Sequence, residues 1–336
     1  MKPMAALIDR FGRAHTYLRI SVTDRCNLRC LYCMPEEGVK FMEQDRLLGY
    51  GDILEAAASA ARLGIRKFRI TGGEPLVRPG LEELVAGLAA LPGVEDISLT
   101  TNGLLLAQQA GKLKEAGLRR VNISLDTLDA ARFRFIARSG DLNKVLDGAE
   151  AAAAAGLAPI KLNCVLLKGV NEDEIGTFLE LSRRQPLHVR FIEYMPIGHD
   201  DEGWRNHYLP LSRVLEEARK LGYGLSRVEG PTGSGPSDDW RIEGGAGTFG
   251  LIHPISDQFC KSCNRLRLTA DGHIKPCLYW MDELNVRPAL GSPEVMDALF
   301  RRAMDIKPEN HEMAALLAGE SLSRAPTERR MSQIGG

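Results

Sequence analysis

From Tyr17 to about Tyr194 the chain alternates short strand-like runs with longer Ala/Leu-rich helical ones, and the strand-like runs themselves alternate polar with apolar residues. That double rhythm limits the fold more than any other feature. A repeated strand–helix order calls for parallel strands with helices packed on one face. Six strand candidates centre on Leu18, Phe68, Ile97, Val121, Leu162 and Val189, which predicts an α/β fold, an incomplete (β/α)6 barrel of TIM type. The connecting segments agree. In "DILEAAASAARLG" Ile53, Leu54, Ala57, Ala58 and Ala61 recur at helical spacing, and Gly64 stands where a helix would stop.

A parallel strand covered on both faces usually reads as continuous apolar residues. Here "LRISVT" sets Leu18, Ile20 and Val22 against Arg19, Ser21 and Thr23, and "KFRI" sets Phe68 and Ile70 against Lys67 and Arg69. Ser98 and Thr100 alternate with Ile97 and Leu99, and Asn122 and Ser124 with Val121 and Ile123. Successive side chains point to opposite faces of a sheet. With helices on the apolar face, the polar set must line the lumen. That lumen would hold Arg19, Lys67, Arg69, Lys161 and Arg190, charges too costly to bury without a partner. An antiparallel sheet with one face in water is the alternative. The helical connections favour an open cationic lumen built for a polyanion, with phosphates as the obvious candidates.

After "YMPIGHDDEGW" the rhythm stops. A helix-like "LSRVLEEARKLG" leads into a loop rich in Gly, Pro and Ser, which predicts a barrel over residues 1–225 and a C-terminal region over 226–336. Net charge is −1 over 336 residues, so bulk electrostatics point to neither nucleic acid nor an acidic membrane surface. No apolar stretch approaches the ~20 residues of a membrane span. The first residues carry Lys2, Asp9, Arg10 and Arg13 and no long apolar segment, so no secretory signal is expected and the location is expected to be cytoplasmic.

Six of the seven cysteines form two trios: Cys26, Cys30 and Cys33 in "DRCNLRCLYC", and Cys260, Cys263 and Cys277 in "FCKSCNRLRLTADGHIKPC". Cys164 lies in an apolar run and reads as a buried free thiol. Such clustering argues for metal or catalysis over a disulfide framework. Three thiolates on a tight loop can hold three irons of a cubane and leave the fourth iron open. On the residues alone, the first trio is also compatible with a zinc loop, or with a ferredoxin-type cluster whose fourth cysteine is distant. The second trio reads most simply as a structural zinc loop completed by His253 or His273. "TGGEP", Thr71 to Pro75, ends the second strand, and Gly72 and Gly73 there allow close backbone approach to a ligand.

The CxxxCxxC loop followed by GGEP resembles the radical S-adenosylmethionine (radical SAM) enzymes. More narrowly, "LRISVTDRCNLRCLYCMP", "RITGGEPLVR", "LTTNG", "VNISLDTL", "VRFIEYMP", "FCKSCNRLRLTADGHIKPCL" and the terminal "MSQIGG" are similar to the GTP 3′,8-cyclase family of molybdenum cofactor biosynthesis. Leu28 stands where that family often has an aromatic residue, and "SGPSDDW" departs from its usual loop. The resemblance implies two 4Fe–4S clusters, one on each trio, in a radical SAM barrel with a C-terminal extension. The first would bind SAM, with Tyr32, Gly72, Gly73, Glu74, Ser124 and Met195 as further contacts. The second would bind the guanine of GTP, with Arg19, Lys67, Arg69, Thr100, Lys161, Arg190, Arg265, Leu266 and Arg267 around the nucleotide. Gly335 and Gly336, a frayed end on sequence alone, would thread into the active site.

The implied reaction is lyase-class carbon–carbon bond formation. SAM is cleaved to a 5′-deoxyadenosyl radical, which takes hydrogen from ribose C3′ of GTP. The C3′ radical attacks C8, and reduction gives 3′,8-cyclo-7,8-dihydro-GTP. The resemblance further implies an electron donor of the flavodoxin or ferredoxin kind and delivery of product to the cyclic pyranopterin monophosphate synthase. It is compatible with a homodimer and implies no nucleic-acid or membrane partner.

Overall fold

The computed structural model describes residues 6–198, 203–228, 235–256 and 259–335. A small hairpin, β1 (Leu7–Ile8) and β2 (Ala14–His15), precedes the alternating region. There follow β3 (Tyr17–Ser21), α1 (Tyr50–Arg62), β4 (Lys67–Thr71), α2 (Leu81–Ala89), β5 (Asp96–Thr101) and α3 (Leu106–Glu115). The rhythm continues with β6 (Arg120–Ser124), α4 (Ala130–Ala137), α5 (Leu142–Ala154), β7 (Lys161–Leu166), α6 (Ile175–Arg184) and β8 (His188–Glu193). All six predicted strands are present, and β3 to β8 pair in sequence order, each parallel to the next. The antiparallel alternative is thereby excluded.

The apolar side of the alternation faces the helices. Leu18, Ile20, Phe68, Ile70, Leu99, Val121 and Ile123 share one buried core with residues of α1, α2, α3 and α5. Each such side chain contributes about 1.5–3 kcal/mol on burial, so the register of the strands is strongly fixed. A one-residue slip would turn the arginines into this core. The buried face of α1 differs in part from the spacing-based expectation. Ile53, Ala56, Ala57, Ala60 and Ala61 are buried, whereas Leu54 and Ala58 are half-buried. Leu54 instead lies over Gly87 of α2. Gly64 ends the helix with φ +101, as its position predicted.

The remaining elements are α7 (Trp204–His207), α8 (Ser212–Lys220), β9 (Leu225–Arg227), β10 (Asp238–Ile242), β11 (Thr248–Ile252), β12 (Arg265–Leu268), β13 (His273–Lys275), β14 (Leu284–Asn285), α9 (Pro293–Asp305), α10 (Met313–Leu317) and α11 (Met331–Ile334). They extend the same sheet at both edges. β11 adds parallel to β8, and β12 adds parallel to β3, each followed outward by antiparallel strands. A second core beneath β7, β8 and β11 buries Phe178, Phe191, Phe249 and Cys164, so Cys164 is the buried free thiol the sequence suggested. A third gathers Tyr194, Trp204, Tyr279, Trp280, Met313 and Ile334. Ile334 is fully buried there, which anchors the tail that sequence alone would have left frayed.

Candidate active site

The lumen opens into one cavity of about 290 Å³, lined by all six trio cysteines. Topology sets the trios at opposite mouths. The first follows the C-terminal end of β3. Cys260 and Cys263 precede the N-terminal end of β12, which runs parallel to β3 with Arg265 opposite Tyr17. Cys277 follows β13, which runs back antiparallel to β12 toward that same N-terminal mouth. The five residues of β3 span about 16 Å at 3.3 Å per residue, which sets the scale of the space between.

At the C-terminal mouth the Gly72–Glu74 segment lies directly on the loop that carries the first trio. Gly73 N donates to Thr23 O at 2.7 Å, and Glu74 N to Arg25 O at 2.7 Å. A Cβ on Gly73 would stand 2.4 Å from Arg25 O and 2.6 Å from Asp24 O. The glycines thus admit the chain's own Thr23–Arg25 backbone, while both also line the cavity. The Glu74 carboxylate is consumed by the protein. It accepts from Leu76 N at 3.0 Å, Thr101 Oγ1 at 2.7 Å and Asn102 N at 2.7 Å, and burial raises its pKa to about 7. Asn102 then reaches Asn27 Oδ1 at 2.7 Å and lies 3.9 Å from Cys26 Sγ.

Tyr32 donates from its hydroxyl to Asp126 Oδ2 at 2.7 Å, and Asp126 Oδ1 accepts from Val165 N at 2.8 Å. Burial pushes Asp126 up to about 6. Asp126 lines the cavity but was not singled out from sequence; continuing the Asn122, Ser124 alternation by two residues reaches it. Ser124 and Met195 also line the cavity. Burial raises the thiols of Cys26, Cys30 and Cys33; Glu74 adds to it at Cys26, and neighbouring thiols add to it at Cys30 and Cys33, taking Cys33 to about 12. Such thiols stay protonated until a metal claims them.

Arg19, Arg69, Arg190, Arg265 and Arg267 all line the cavity. Register puts Arg267, Arg19 and Arg69 opposite one another on three adjacent strands. Like charges so placed repel. Arg19 Nε, Arg190 Nε, Thr100 Oγ1, Asn163 Oδ1 and Tyr17 Oη are buried without a hydrogen-bond partner. The lumen is therefore a polar cradle with unmet donors. Two predicted cations stand apart: Lys161 is buried and Lys67 half-buried at the strand starts, and neither is in the cavity wall. Leu266 departs further, for its side chain turns into the apolar core as the β12 alternation requires.

Around the second trio, burial and the neighbouring thiols of Cys277 and Cys263 push Cys260 up to about 11. Burial works the same way on Cys263, but Lys307 and Arg265 outweigh it and bring that thiol to about 6. Both histidines that the sequence offered as a fourth zinc ligand are engaged elsewhere. His273 is held among Asp271, Glu283 and Arg329, and His253 faces Ser256, Glu193 and Asp238. Among the described residues, no three His, Cys, Asp or Glu side chains converge on a single-ion site. Three thiols spread over one loop system instead suit a cubane, where each sulfur takes a different iron.

The tail reaches the C-terminal mouth. Gly335 has φ +83, its carbonyl accepts from Arg267 Nη1, and a Cβ there would stand 2.5 Å from Thr71 Cγ2. Gly336 lies outside the described residues.

Comparison with known proteins agrees with this geometry. Residues 20–182, containing the first trio, match the Radical SAM superfamily model, and residues 187–313, containing the second, match the Molybdenum Cofactor Synthesis C model. A GTP 3′,8-cyclase of Listeria monocytogenes is 55% identical over 333 residues, covering 99% of this chain and 100% of the relative. The chain belongs to the GTP 3′,8-cyclase family. Within that family, the GTP 3′,8-cyclase of Limosilactobacillus fermentum is 48% identical over the same shares of both chains. Streptococcus suis SuiB bound to S-adenosylmethionine shares the fold at TM-score 0.59 and 15% identity, over 87% of this chain and 68% of that one. GTP 3′,8-cyclase family membership thus joins a radical SAM barrel to the C-terminal region that completes its sheet edges. No helix of the described residues is long and apolar enough to cross a membrane.

Proposed function

We infer that this chain is a radical SAM GTP 3′,8-cyclase, converting GTP to (8S)-3′,8-cyclo-7,8-dihydro-GTP, the first step of molybdenum cofactor biosynthesis. The observation that carries the reading is two three-cysteine clusters at opposite mouths of one lumen whose wall bears six arginines. When bound, the two 4Fe–4S clusters and SAM supply the 5′-deoxyadenosyl radical chemistry and an open iron for the guanine. An unactivated C–H bond is beyond side-chain acid–base groups, so the chain's own task is to hold, orient and exclude water.

Cys26, Cys30 and Cys33 hold the SAM-side cluster, with Tyr32, Gly72, Gly73, Ser124 and Met195 around SAM. Glu74 serves there through its backbone, because its carboxylate is already bound by Leu76, Thr101 and Asn102. Cys260, Cys263 and Cys277 hold the substrate-side cluster. Arg19, Arg69, Thr100, Arg190, Arg265 and Arg267 face the nucleotide, with Lys67 and Lys161 adding positive potential from the strand starts. Gly335 completes the C-terminal mouth, and a catalytic role for the Gly335 and Gly336 tail belongs to the same reading. An electron donor of the flavodoxin or ferredoxin kind, transfer of product to the cyclic pyranopterin monophosphate synthase, a homodimer and a cytoplasmic location belong to the same reading.

The test is anaerobic reduction of the iron-loaded protein with SAM and GTP, followed by mass spectrometry. GTP-dependent 5′-deoxyadenosine together with a cyclised nucleotide is expected. 5′-Deoxyadenosine without any cyclised nucleotide would overturn the substrate assignment.

A further inference from the structure

The N-terminal hairpin and the segment that follows α9 hold no predicted site residue, yet they reach the second trio. Asp9, 4% exposed, accepts from Arg13 Nε at 2.6 Å and from the backbone N–H groups of Phe11 and Arg13 at 2.9 and 3.0 Å. The guanidinium so oriented is itself buried. Its Nη1 donates to Cys260 O at 2.8 Å and Glu309 O at 2.7 Å, and its Nη2 to Pro308 O at 2.7 Å. From the other side Lys307, 2% exposed, donates from Nζ to Arg265 O at 3.0 Å and Pro276 O at 2.5 Å. Cys260 is thus held at its own carbonyl, Cys277 through the residue before it, and Cys263 through Arg265. Cys263 N closes the loop on Cys260 O at 3.1 Å.

Two buried cations that hydrogen-bond backbone carbonyls at and beside the second trio's cysteines form an expensive arrangement for mere folding. Each cation must be desolvated, and Asp9 neutralises only Arg13. A bound cluster with three thiolates places negative charge beside both cations, which recovers that cost. We propose that Arg13, oriented by Asp9, and Lys307 are positioning residues for the second trio: they fix its two cysteine-bearing segments in the cluster-receiving arrangement and offset the cluster's charge. This rests on the proposed function's assignment of a cluster to Cys260, Cys263 and Cys277. The fork matters for Arg13, because three carbonyl contacts and one carboxylate contact use the planar guanidinium in directions an ammonium cannot match.

The experiment uses the full-length chain with Cys26, Cys30 and Cys33 replaced by alanine, so that all bound iron reports the second trio. After anaerobic reconstitution this parent should hold roughly four irons. Arg13→Gln and Lys307→Gln should each lose at least half of them, and Arg13→Lys should recover only part. In the chain with both trios intact, Arg13→Gln should keep the first cluster's iron and its GTP-independent SAM cleavage, while KM for GTP rises at least tenfold. The retained first cluster reports that the variant is folded; loss of both clusters in parallel overturns the proposal in favour of a general structural role. Full iron in the parent and in both Gln variants, with an unchanged electron paramagnetic resonance spectrum, also overturns it and leaves the proposed function standing. An iron-free parent overturns the cluster assignment and this inference with it.

Discussion

Replacing Arg190 by methionine should stabilise the GTP-free protein and weaken GTP binding, two effects of opposite sign from one side chain. Arg190 is 4% exposed on β8, bonded to Asn122 Oδ1 at 2.5 Å through Nη2, with Nε unpartnered. Burial, with Arg69 nearby, lowers its pKa from the ordinary 12.5 to about 9. At about 1.4 kcal/mol per pH unit, holding the charge there costs on the order of 5 kcal/mol. Methionine removes that cost but leaves the buried Asn122 Oδ1 unpaired, a loss of about 1–3 kcal/mol. Relaxation trims the rest, and exchange of a buried charge for an apolar side chain commonly gains about 1–4 kcal/mol. The melting temperature without GTP should therefore rise by about 2–6 °C. A lost charge-assisted hydrogen bond to phosphate, about 1.5–3 kcal/mol, should weaken GTP binding roughly 10–150-fold. Anaerobic thermal unfolding with and without GTP, paired with titration calorimetry, reads both. A lower melting temperature without GTP, or an unchanged GTP affinity, would refute the reasoning.

Other expectations follow from the same cavity. Burial, then Arg190 and Arg120, depresses Lys161 to about 7. Its contribution to folding stability should therefore rise as pH climbs from about 7 towards its ordinary 10.5, whereas binding of a polyanion should take up a proton and weaken as pH rises above 7. Calorimetry in buffers of different ionisation enthalpy checks the uptake, and zero uptake at pH 8 contradicts it. Gly73→Ala drives a Cβ to 2.4 Å from Arg25 O, so the first-trio iron should be lost while second-trio iron stays, as measured by iron and sulfide per chain. Gly335→Ala meets both a left-handed φ of +83 and Thr71 Cγ2 at 2.5 Å; cyclised product should fall at full cluster content, and wild-type turnover would count against a role for the tail.

The barrel was legible because its two signals are local. Period-two alternation within each strand and helical spacing between strands reveal β3 to β8 and say which side chains face the lumen. That logic found Arg19, Arg69 and Arg190 without any structure, and two further steps of it would have reached Asp126. It grouped Lys67 and Lys161 with the other lumen cations, whereas a strand's first residue can share the lumen face and still lie outside the cavity wall. The completing strands β11 and β12 were not legible. They follow a Gly/Pro-rich segment and find their partners β8 and β3 some 60 and 250 residues away in register. Leu266 shows the same limit. Grouped with its arginine neighbours by sequence, it obeys the strand and turns inward. Arg13 carries no motif, since its meaning lies in carbonyls of residues 260, 308 and 309.

Parallel pairing of β12 with β3 is what converts two similar cysteine trios into different sites. Had β12 joined the edge antiparallel, the loop bearing Cys260 and Cys263 would emerge beside Cys26, and both trios would crowd one mouth. In the parallel register the same loop starts at the opposite end, with Arg265 beside Tyr17 and Arg267 beside Arg19. A ligand reaching from one trio to the other must then run along the arginine row. Two of the cavity's carboxylates, Glu74 and Asp126, lie at the C-terminal mouth, engaged by their own hydrogen-bond donors. Positive charge toward one end, thiols at both, and backbone glycine at the tail together favour a substrate whose anionic part fills the arginine row. GTP meets that demand with its triphosphate.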